Sequence, residues 1–545
     1  MPLVLFVLGL SGSVLVAAPV DDYPKNPRID IEHYRFDLAV TDADDTLRAV
    51  ATITARFVVA GDSTLRLDLV RPTAAREGRG MVVESIRSGD RLLAYRHVDR
   101  ELLIFLGRHP AAGERVTVQV AYRGRPADAL VFGPNKHDDR TVFSDNWPDR
   151  ARHWLPTVDH PYDKATMEMV VTAPARYQVI SNGRLVETTD LGDGTRRTHW
   201  SQGVPIATWL YALGVAEFAV DHRPDCVGVP IQTWVYRQDR DAGFHDFAEP
   251  TCDVLEFFSS RIGPYSYEKV ANVVARTVGG GMEAATAIFY GERSVSGTRA
   301  VTWQNVIIHE LAHQWFGNAV TEADWDDVWL SEGFATYFTL LYREHARGRD
   351  DVVAGLQQSR ETIRKFYAER PDYRVIHDRL TDMAQVTTGM TYQKGAWTLH
   401  MLRTRIGDDA FWRGIRAYYR AHRDANATTA DFQRAMEDAS GESLGAFLDQ
   451  WLRQGGIPAF RVVLGADSTG TMAMLTFVPE ASAHRFTFPV EYRLTLADGT
   501  TKAGQVTLTS GVPVTVPVPV PSPATTVTID PETRLLATWT LGTGP

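Results

Sequence analysis

The chain has 545 residues, which at roughly 150 residues per domain predicts three or four domains. Apolar residues make up 44% and charged residues 23%, so a mainly disordered or collagen-like chain is excluded. The net charge of −10 provides no general attraction for phosphate backbones, and we expect no nucleic-acid partner. The two cysteines, Cys226 and Cys252, cannot build a disulfide framework or a Cys-based metal site.

The first 18 residues, MPLVLFVLGLSGSVLVAA, form an uncharged apolar run that ends in small side chains. We interpret residues 1–18 as a signal peptide, although no basic residue precedes the run and Pro19 would follow the cut. A buried strand is the alternative. The protein is therefore predicted to be exported, either periplasmic or secreted, and to be cytoplasmic if the segment is not a signal. No later run is apolar enough to span a membrane. Export would allow Cys226 and Cys252 to pair, with two free buried thiols as the alternative.

Residues 30–220 show the period of two that is typical of antiparallel strands. Within residues 52–59 one predicted face carries the apolar side chains Ile53, Ala55, Phe57 and Val59. Within residues 115–122 the corresponding face carries Val116, Val118, Val120 and Tyr122. Glycine and aspartate turns separate such runs, so this region is predicted to be a sheet domain.

Helical patterns dominate residues 245–455, and strand patterns return from residue 456 onward. In residues 512–523 proline alternates with valine. Proline cannot donate to a ladder of backbone hydrogen bonds, so this segment is predicted to be an edge strand or an extended connector.

The unusual polar residues of the helical region begin with the sequence His-Glu-Leu-Ala-His at 309–313. Residues four apart on a helix differ by about 40° in direction, so His309 and His313 share one face and suit a single zinc ion. The helix is predicted to be buried and to stop at Gly317-Asn318. Its apolar residues are Trp303, Val306, Ile307, Ile308, Leu311, Ala312, Trp315 and Phe316.

A second apolar helix carries Glu332 among large side chains. An ion-paired core glutamate is one interpretation of this residue. As a third ligand beside His309 and His313, it would complete a site for one Zn2+ per chain with a fourth position open to water, which is the catalytic pattern. The histidine pair on the first helix and the glutamate on the second favour the same interpretation, so we predict a metal site.

Glu310 adjoins a metal ligand but points about 100° away from it around the helix. It can therefore lie beside a zinc-activated water without binding the metal, and we predict that it is the general base. A salt-bridged glutamate is the alternative. In the predicted reaction Glu310 takes a proton from the water, which attacks a carbonyl carbon.

This pattern, with Glu332 following His313 by 19 residues, resembles the gluzincin zinc aminopeptidases of peptidase family M1, the family of aminopeptidase N and leukotriene hydrolase. Three further segments add to the resemblance, which spans roughly residues 25–545. Gly280-Gly281-Met282-Glu283-Ala284 is similar to the family's Gly-x-Met-Glu-Asn motif, Tyr392-Gln393-Lys394-Gly395 to its Tyr-Glu-Lys-Gly motif, and residues 451–458 to the segment that closes the catalytic domain.

The resemblance implies a multidomain α+β fold. An N-terminal β-saddle is expected at 25–222, a thermolysin-like, mostly helical catalytic domain at 223–456 and a C-terminal β-sandwich at 457–545. Many members add a helical C-terminal solenoid, which we expect to be absent from this three-domain form.

The resemblance also implies individual roles. Glu283 is expected to bind the free α-amino group of the substrate, and Tyr392 to stabilise the oxyanion. Gly280, Gly281 and Met282 are expected to lie against the peptide backbone, which the glycines allow to approach closely. The alternatives are that Glu283 is a surface carboxylate, that Tyr392 is a core tyrosine, and that the glycines form a flexible turn.

Two positions depart from the family pattern. Ala284 replaces the usual Asn, and Trp147 falls near a Gln or Glu of the first specificity pocket. The predicted function is a zinc aminopeptidase that hydrolyses the N-terminal residue from unblocked peptides. A zinc endopeptidase, an epoxide hydrolase and a catalytically silent binding protein on the same fold are the alternatives. The preferred residue, the physiological substrate and the oligomeric state do not follow from the sequence.

Overall fold

The computed structural model of the protein describes residues 21–377 and 379–542, so the predicted signal peptide lies outside the described residues. The first region consists of strands in three sheets with the orders β13-β14-β11-β1-β2-β8-β4-β5, β12-β15-β10-β9 and β3-β7-β6. Its strands are β1 (Ile29–Ala39), β2 (Leu47–Phe57), β3 (Thr64–Asp68), β4 (Gly80–Ser88), β5 (Arg91–Leu92), β6 (Ala94–Val98), β7 (Glu101–Phe105), β8 (Arg115–Arg125), β9 (Leu130–Pro134), β10 (Arg140–Ser144), β11 (Ala165–Pro174), β12 (Gln178–Ser181), β13 (Arg184–Asp190), β14 (Thr195–Ile206) and β15 (Leu213–Ala216).

The two strand patterns read from the sequence lie side by side in the large sheet. Strands β2 and β8 pair in antiparallel register, and their predicted apolar faces are buried. The prediction was wrong at Val59, which lies beyond the end of β2 and is 45% exposed. The strand ends at Phe57 because the chain turns there, and alternation in the sequence does not mark that turn.

The second region is mostly helical and carries the candidate site. Its five-stranded sheet has the order β16-β17-β18-β20-β19, and the short strands β21 and β22 pair separately. The strands are β16 (Phe218–Cys226), β17 (Val229–Tyr236), β18 (Val270–Ala275), β19 (Gly281–Met282), β20 (Ala287–Gly291), β21 (Val320–Glu322) and β22 (Ala425–Ala427). The helices are α1 (Arg240–Phe247), α2 (Thr251–Arg261), α3 (Val301–His313), α4 (Trp329–Arg347), α5 (Arg349–Glu369), α6 (Gly389–Ile406), α7 (Asp408–His422), α8 (Thr429–Ser440) and α9 (Gly445–Leu452).

Strand β16 runs through the expected boundary at residues 222 and 223. It pairs with β17 from Phe218 to Cys226, so the strand belongs to the sheet of the second region. We propose that the first domain ends before Phe218. A disulfide between Cys226 and Cys252 then ties this strand to α2.

The third region is a β-sandwich of two sheets with the orders β27-β24-β23-β29 and β26-β25-β28. Its strands are β23 (Ala459–Ala466), β24 (Met472–Pro479), β25 (Thr487–Leu496), β26 (Thr501–Thr509), β27 (Val514–Pro519), β28 (Ala524–Ile529) and β29 (Thr538–Gly542). The proline-rich β27 lies at a sheet edge, as predicted, because an edge strand needs to donate hydrogen bonds on one side only. The predicted α+β architecture is confirmed.

Two buried lysines join the regions around the candidate site. Lys269 Nζ donates to the carbonyl oxygens of Ser181 and Gly183 in the first region. Lys394 Nζ, on α6, donates to the carbonyl oxygens of Gln454 and Gly456 at the entry to the sandwich. The Lys394 contacts fix α6, which carries Tyr392. Among the described residues, no helix is long and apolar enough to cross a bilayer.

Candidate metal centre and peptide cavity

Two helices bring the predicted metal ligands together. His309 and His313 lie on α3, and Glu332 lies in the first turn of α4. The Nε2 atoms of the two histidines are 3.1 Å apart. Glu332 Oε2 lies 3.3 Å from His309 Nε2 and 3.2 Å from His313 Nε2. Zinc bonds of about 2.0–2.1 Å in tetrahedral geometry separate ligand atoms by about 3.3 Å, so the three atoms fit a zinc ion.

The helix α3 ends earlier than the sequence predicted. Its last residue is His313, four positions before Gly317. The helix ends there because the backbone N–H groups of Gln314 and Trp315 donate to carbonyl oxygens three residues earlier, as in a 3-10 helix. The expectation of a fully buried helix was also wrong in its first half, where Val306 is half-buried and lines a cavity.

The orientation of His313 depends on contacts that the sequence analysis missed. Its Nδ1 atom lies 3.2 Å from the carbonyl oxygen of Phe316 and 3.0 Å from Ser331 Oγ. A proton on Nδ1 satisfies that carbonyl and leaves Nε2 free as a ligand atom. Gly317 has a φ of +109°, and a Cβ there would overlap Ser331 Oγ. The only signal for Ser331 was its place directly before Glu332.

Carboxylates crowd the metal centre. The ligand atoms of Glu283, Glu310 and His313 lie within 4.8 Å of one another. Burial raises the pKa of Glu283 to about 7, and burial together with Glu283 raises the pKa of Glu310. Burial also opposes ionisation of Glu332, but His313 and His309 outweigh it and lower the pKa of Glu332 to about 2. An excess of buried acceptor groups is the environment in which a divalent cation is stabilised.

Glu310 is held against an edge strand. A Cβ on Gly281 would overlap its carboxylate, so only glycine allows β19 to pass this close to the helix. Glu310 Oε2 makes no hydrogen bond with any described residue. The carboxylate is therefore fixed on one side and has an acceptor atom available beside the metal ligands.

The segment with the Gly-x-Met-Glu pattern forms β19 and the loop that follows it. Strand β19 lies at the edge of its sheet and pairs only with β20 among the described strands. The carbonyl oxygen of Glu283 accepts hydrogen bonds from Gln314 Nε2 at 3.0 Å and Asn318 Nδ2 at 2.7 Å. Sequence reasoning did not identify these two amides as positioning groups. Both follow the histidine motif within five residues.

The two residues of β19, Gly281 and Met282, face opposite sides. Gly280, Gly281 and Glu283 line the cavity that holds the metal centre, whereas Met282 is buried and is not among the described lining residues. A strand alternates its side chains in this way. The structure therefore brings together every predicted site residue except the Met282 side chain.

Tyr392 lies in the first turn of α6, which a capping box at Thr388 begins. Its hydroxyl donates to Glu332 Oε1 at 2.7 Å. Burial and then the charge of Glu332 raise the pKa of Tyr392, so the hydroxyl keeps its proton and remains a donor next to the metal ligands.

Trp147 is packed elsewhere. Its ring lies edge-on to Trp209 at 4.7 Å and to Trp325 at 5.2 Å, and it is not among the described residues that line the cavity. The sequence left the role of Trp147 open, and the structure places its ring in an aromatic cluster.

The metal centre opens into a cavity of about 580 Å3. One end holds Glu283, Glu310 and the three predicted ligands. From there the cavity continues between α4, α5 and α6. This shape suits an extended ligand that crosses the metal centre.

Comparison with known proteins agrees with this arrangement. The model of the Peptidase family M1 domain matches residues 248–451, and the model of the Peptidase M1 N-terminal domain matches residues 30–210. Aminopeptidase A of Gloydius brevicauda is 28% identical over 67% of this chain and 40% of its own length. Glutamyl aminopeptidase of Homo sapiens is 30% identical over 59% of this chain and 35% of its own length. The chain thus spans less than half of the length of these curated relatives.

Among solved structures, an M1 zinc metallopeptidase of Deinococcus radiodurans, as a mutant bound to a Tyr-Ser-Ala substrate, is 25% identical with a TM-score of 0.67. The match covers 78% of this chain and 94% of that chain. The fold and the His-His-Glu cluster thus define the class, a metallopeptidase fold with a candidate metal site. The chain belongs to peptidase family M1, and membership implies a zinc cofactor, which the three ligand atoms fit.

Proposed function

We propose that this protein is a zinc aminopeptidase that removes the N-terminal residue from peptides with a free α-amino group. The observation that carries the proposal is the position of Glu283. Its buried carboxylate shares a cavity with His309, His313 and Glu332, and its Oε1 atom makes no hydrogen bond with any described residue. A protonated amine would satisfy that oxygen and place the first peptide bond next to the metal ligands.

His309, His313 and Glu332 would hold the zinc. Zinc bound in such a site supplies Lewis-acid polarisation of a carbonyl group and lowers the pKa of water. Glu310 has an available acceptor oxygen, so it can take a proton from the attacking water and pass it to the departing amine. The Tyr392 hydroxyl, a neutral donor beside Glu332, can donate instead to the developing oxyanion.

The edge strand β19 supports a binding mode for the peptide backbone. Its outer side has no partner strand among the described residues, and a Cβ on Gly280 would meet no atom within 4 Å. A substrate can add to this edge as a further strand while its amine reaches Glu283. Met282 would then contribute its backbone, because its side chain is buried.

We also propose that the protein is exported. The uncharged apolar segment at 1–18 supports this, and so does the disulfide between Cys226 and Cys252, because disulfides persist in oxidising compartments.

The test uses purified full-length protein. We expect about one zinc per chain by elemental analysis, lost in His313→Ala. An N-acetylated peptide should be cut at least about 10³-fold more slowly than its free form, because acetylation removes the charge and adds bulk at Glu283. An aminoacyl-arylamide panel that includes the glutamyl derivative would show the preferred residue. Equal cleavage of free and acetylated peptides would indicate an endopeptidase. A protein that contains zinc but turns over none of these substrates would be a catalytically silent binding protein.

A further inference from the structure

The cavity extends away from the metal centre along one face of α4. Beyond Glu332, the lining residues of this helix include Thr336, Thr339 and Arg343. They follow Glu332 by 4, 7 and 11 positions, and this spacing returns to the same helix face. The stripe thus runs for three turns, about 16 Å at 1.5 Å per residue.

The opposite wall is a matching stripe of α5. Gly355, Gln358, Ser359 and Thr362 all line the cavity, at spacings that also share one helix face. A Cβ on Gly355 would lie 2.9 Å from Leu340 Cδ2, so glycine lets the two helices approach each other. The result is a slot between α4 and α5, lined by these polar residues and by Leu340 and Leu356, that continues from the metal centre.

Beside this slot, one buried polar atom on α5 and one on α6 have no hydrogen-bond partner in the described part of the chain. Ser359 is 8% exposed and Trp397 is fully buried, and neither Ser359 Oγ nor Trp397 Nε1 makes a hydrogen bond with any described residue. Buried polar atoms are normally satisfied by a hydrogen-bond partner. Both residues line the cavity, so this part of its wall has hydrogen-bonding capacity that no described residue uses.

The charges of the cavity are separated along its length. The carboxylates of Glu283, Glu310 and Glu332 lie at the metal end, and Arg343 is the only described Lys or Arg that lines the cavity. Arg343 Nε donates to Asp351 Oδ2 at 2.6 Å, and Nη2 lies 3.4 Å from the Asp351 carbonyl oxygen. Asp351 thus holds the guanidinium, while no hydrogen bond of Nη1 is found among the described residues.

We propose that Arg343 binds the C-terminal carboxylate of short peptides whose amine lies at Glu283. The inference rests on the proposed aminopeptidase function and names its substrate class. The guanidinium is held by Asp351 at the start of α5, and its contact with a bound carboxylate takes up about 3 Å, so the peptide itself has less than the length of the stripe to cross. At about 3.4 Å per extended residue, the slot has room for about three residues after the cleaved bond. The preferred substrates are therefore peptides of about four residues.

The test compares peptides of two to six residues, each as the free acid and as the C-terminal amide. For tetrapeptides we expect kcat/KM to be about 10- to 100-fold higher for the acid, the range of a charged hydrogen bond. For dipeptides the ratio should be near one, because their carboxylate cannot reach Arg343. In Arg343→Gln the tetrapeptide ratio should fall to near one, mainly through KM, and Arg343→Lys should recover part of it.

A matched control removes an exposed arginine from the outer face of α5. Arg364 pairs with Glu361 on that face and does not line the cavity, so Arg364→Gln should keep the full acid preference. Thermal unfolding of each variant shows whether loss of the Asp351 contact has disturbed the fold.

Binding separates this inference from the proposed function. Calorimetry with the full-length Glu310→Gln protein measures the affinity for the tetrapeptide acid and amide without turnover. Equal affinity for both, or an acid preference that survives Arg343→Gln, would overturn the role of Arg343 even if the enzyme is active. A clear acid preference in an inactive protein would instead support the role of Arg343 and contradict the aminopeptidase proposal.

Discussion

The two ends of the cavity are built differently. At the metal end, three ligand atoms from α3 and α4 converge to within 3.3 Å of one another, and the orientation of His313 is set by Phe316 and Ser331. In the slot, polar side chains are spread over α4 and α5, and Ser359 Oγ has no hydrogen-bond partner among the described residues. Chemistry at a metal needs a few atoms at fixed short distances, whereas recognition of a peptide adds many weak contacts along its length. Substitutions at the metal end should therefore change kcat, and those in the slot should change KM.

The largest effect is expected for Glu310→Gln at the metal end. The amide cannot take a proton, so kcat should fall by about 10²- to 10⁴-fold, the range for a lost general base. The variant should keep its zinc, because Glu310 is not one of the three predicted ligands. Steady-state kinetics and elemental analysis check both statements, and near-normal kcat would remove Glu310 from the mechanism.

Tyr392→Phe should give the next largest effect. Loss of the hydroxyl removes the donor to the oxyanion and should lower kcat by about 10²- to 10³-fold with little change in KM. A change confined to KM would assign Tyr392 to substrate binding. It would also contradict the expectation that substitutions at the metal end change kcat.

Gly281→Ala tests whether packing at the metal end fixes the general base. The added Cβ would overlap the Glu310 carboxylate, and a displaced catalytic group can cost about 100-fold in rate. We expect kcat to fall by about 10- to 100-fold with zinc retained. The matched control is Gly279→Ala, where a Cβ meets no atom within 4 Å. Equal kinetic constants for the two variants would show that Glu310 functions normally even when β19 moves away from its carboxylate.

The smallest effect is expected at Ala284, where the resemblance noted in the sequence leads us to expect Asn. Ala284→Asn should raise kcat/KM by up to about tenfold if the amide gains one hydrogen bond to the substrate backbone. The measurement uses a free tripeptide and its N-acetylated form as a control. No gain would mean that the buried surroundings of Ala284 do not admit the longer side chain.

Local patterns in the sequence predicted the candidate metal centre and the strand regions. The spacing of His309 and His313 defines a helix face without any tertiary information, and alternation identifies β2 and β8 because a strand repeats every two residues. Proline within residues 512–523 indicated an edge strand for the same local reason. Glu283 and Tyr392 were found by resemblance, because a single buried carboxylate or tyrosine has no periodic signal.

Only the tertiary structure decided the rest. The early end of α3, the inward side chain of Met282 and the packing of Trp147 against Trp209 and Trp325 depend on segments far away in the chain. The slot is the clearest case, because neither α4 nor α5 shows its polar stripe as a site until the close approach at Gly355 sets the two stripes face to face. A periodic pattern states which side of a helix is polar, and packing alone decides what that side meets.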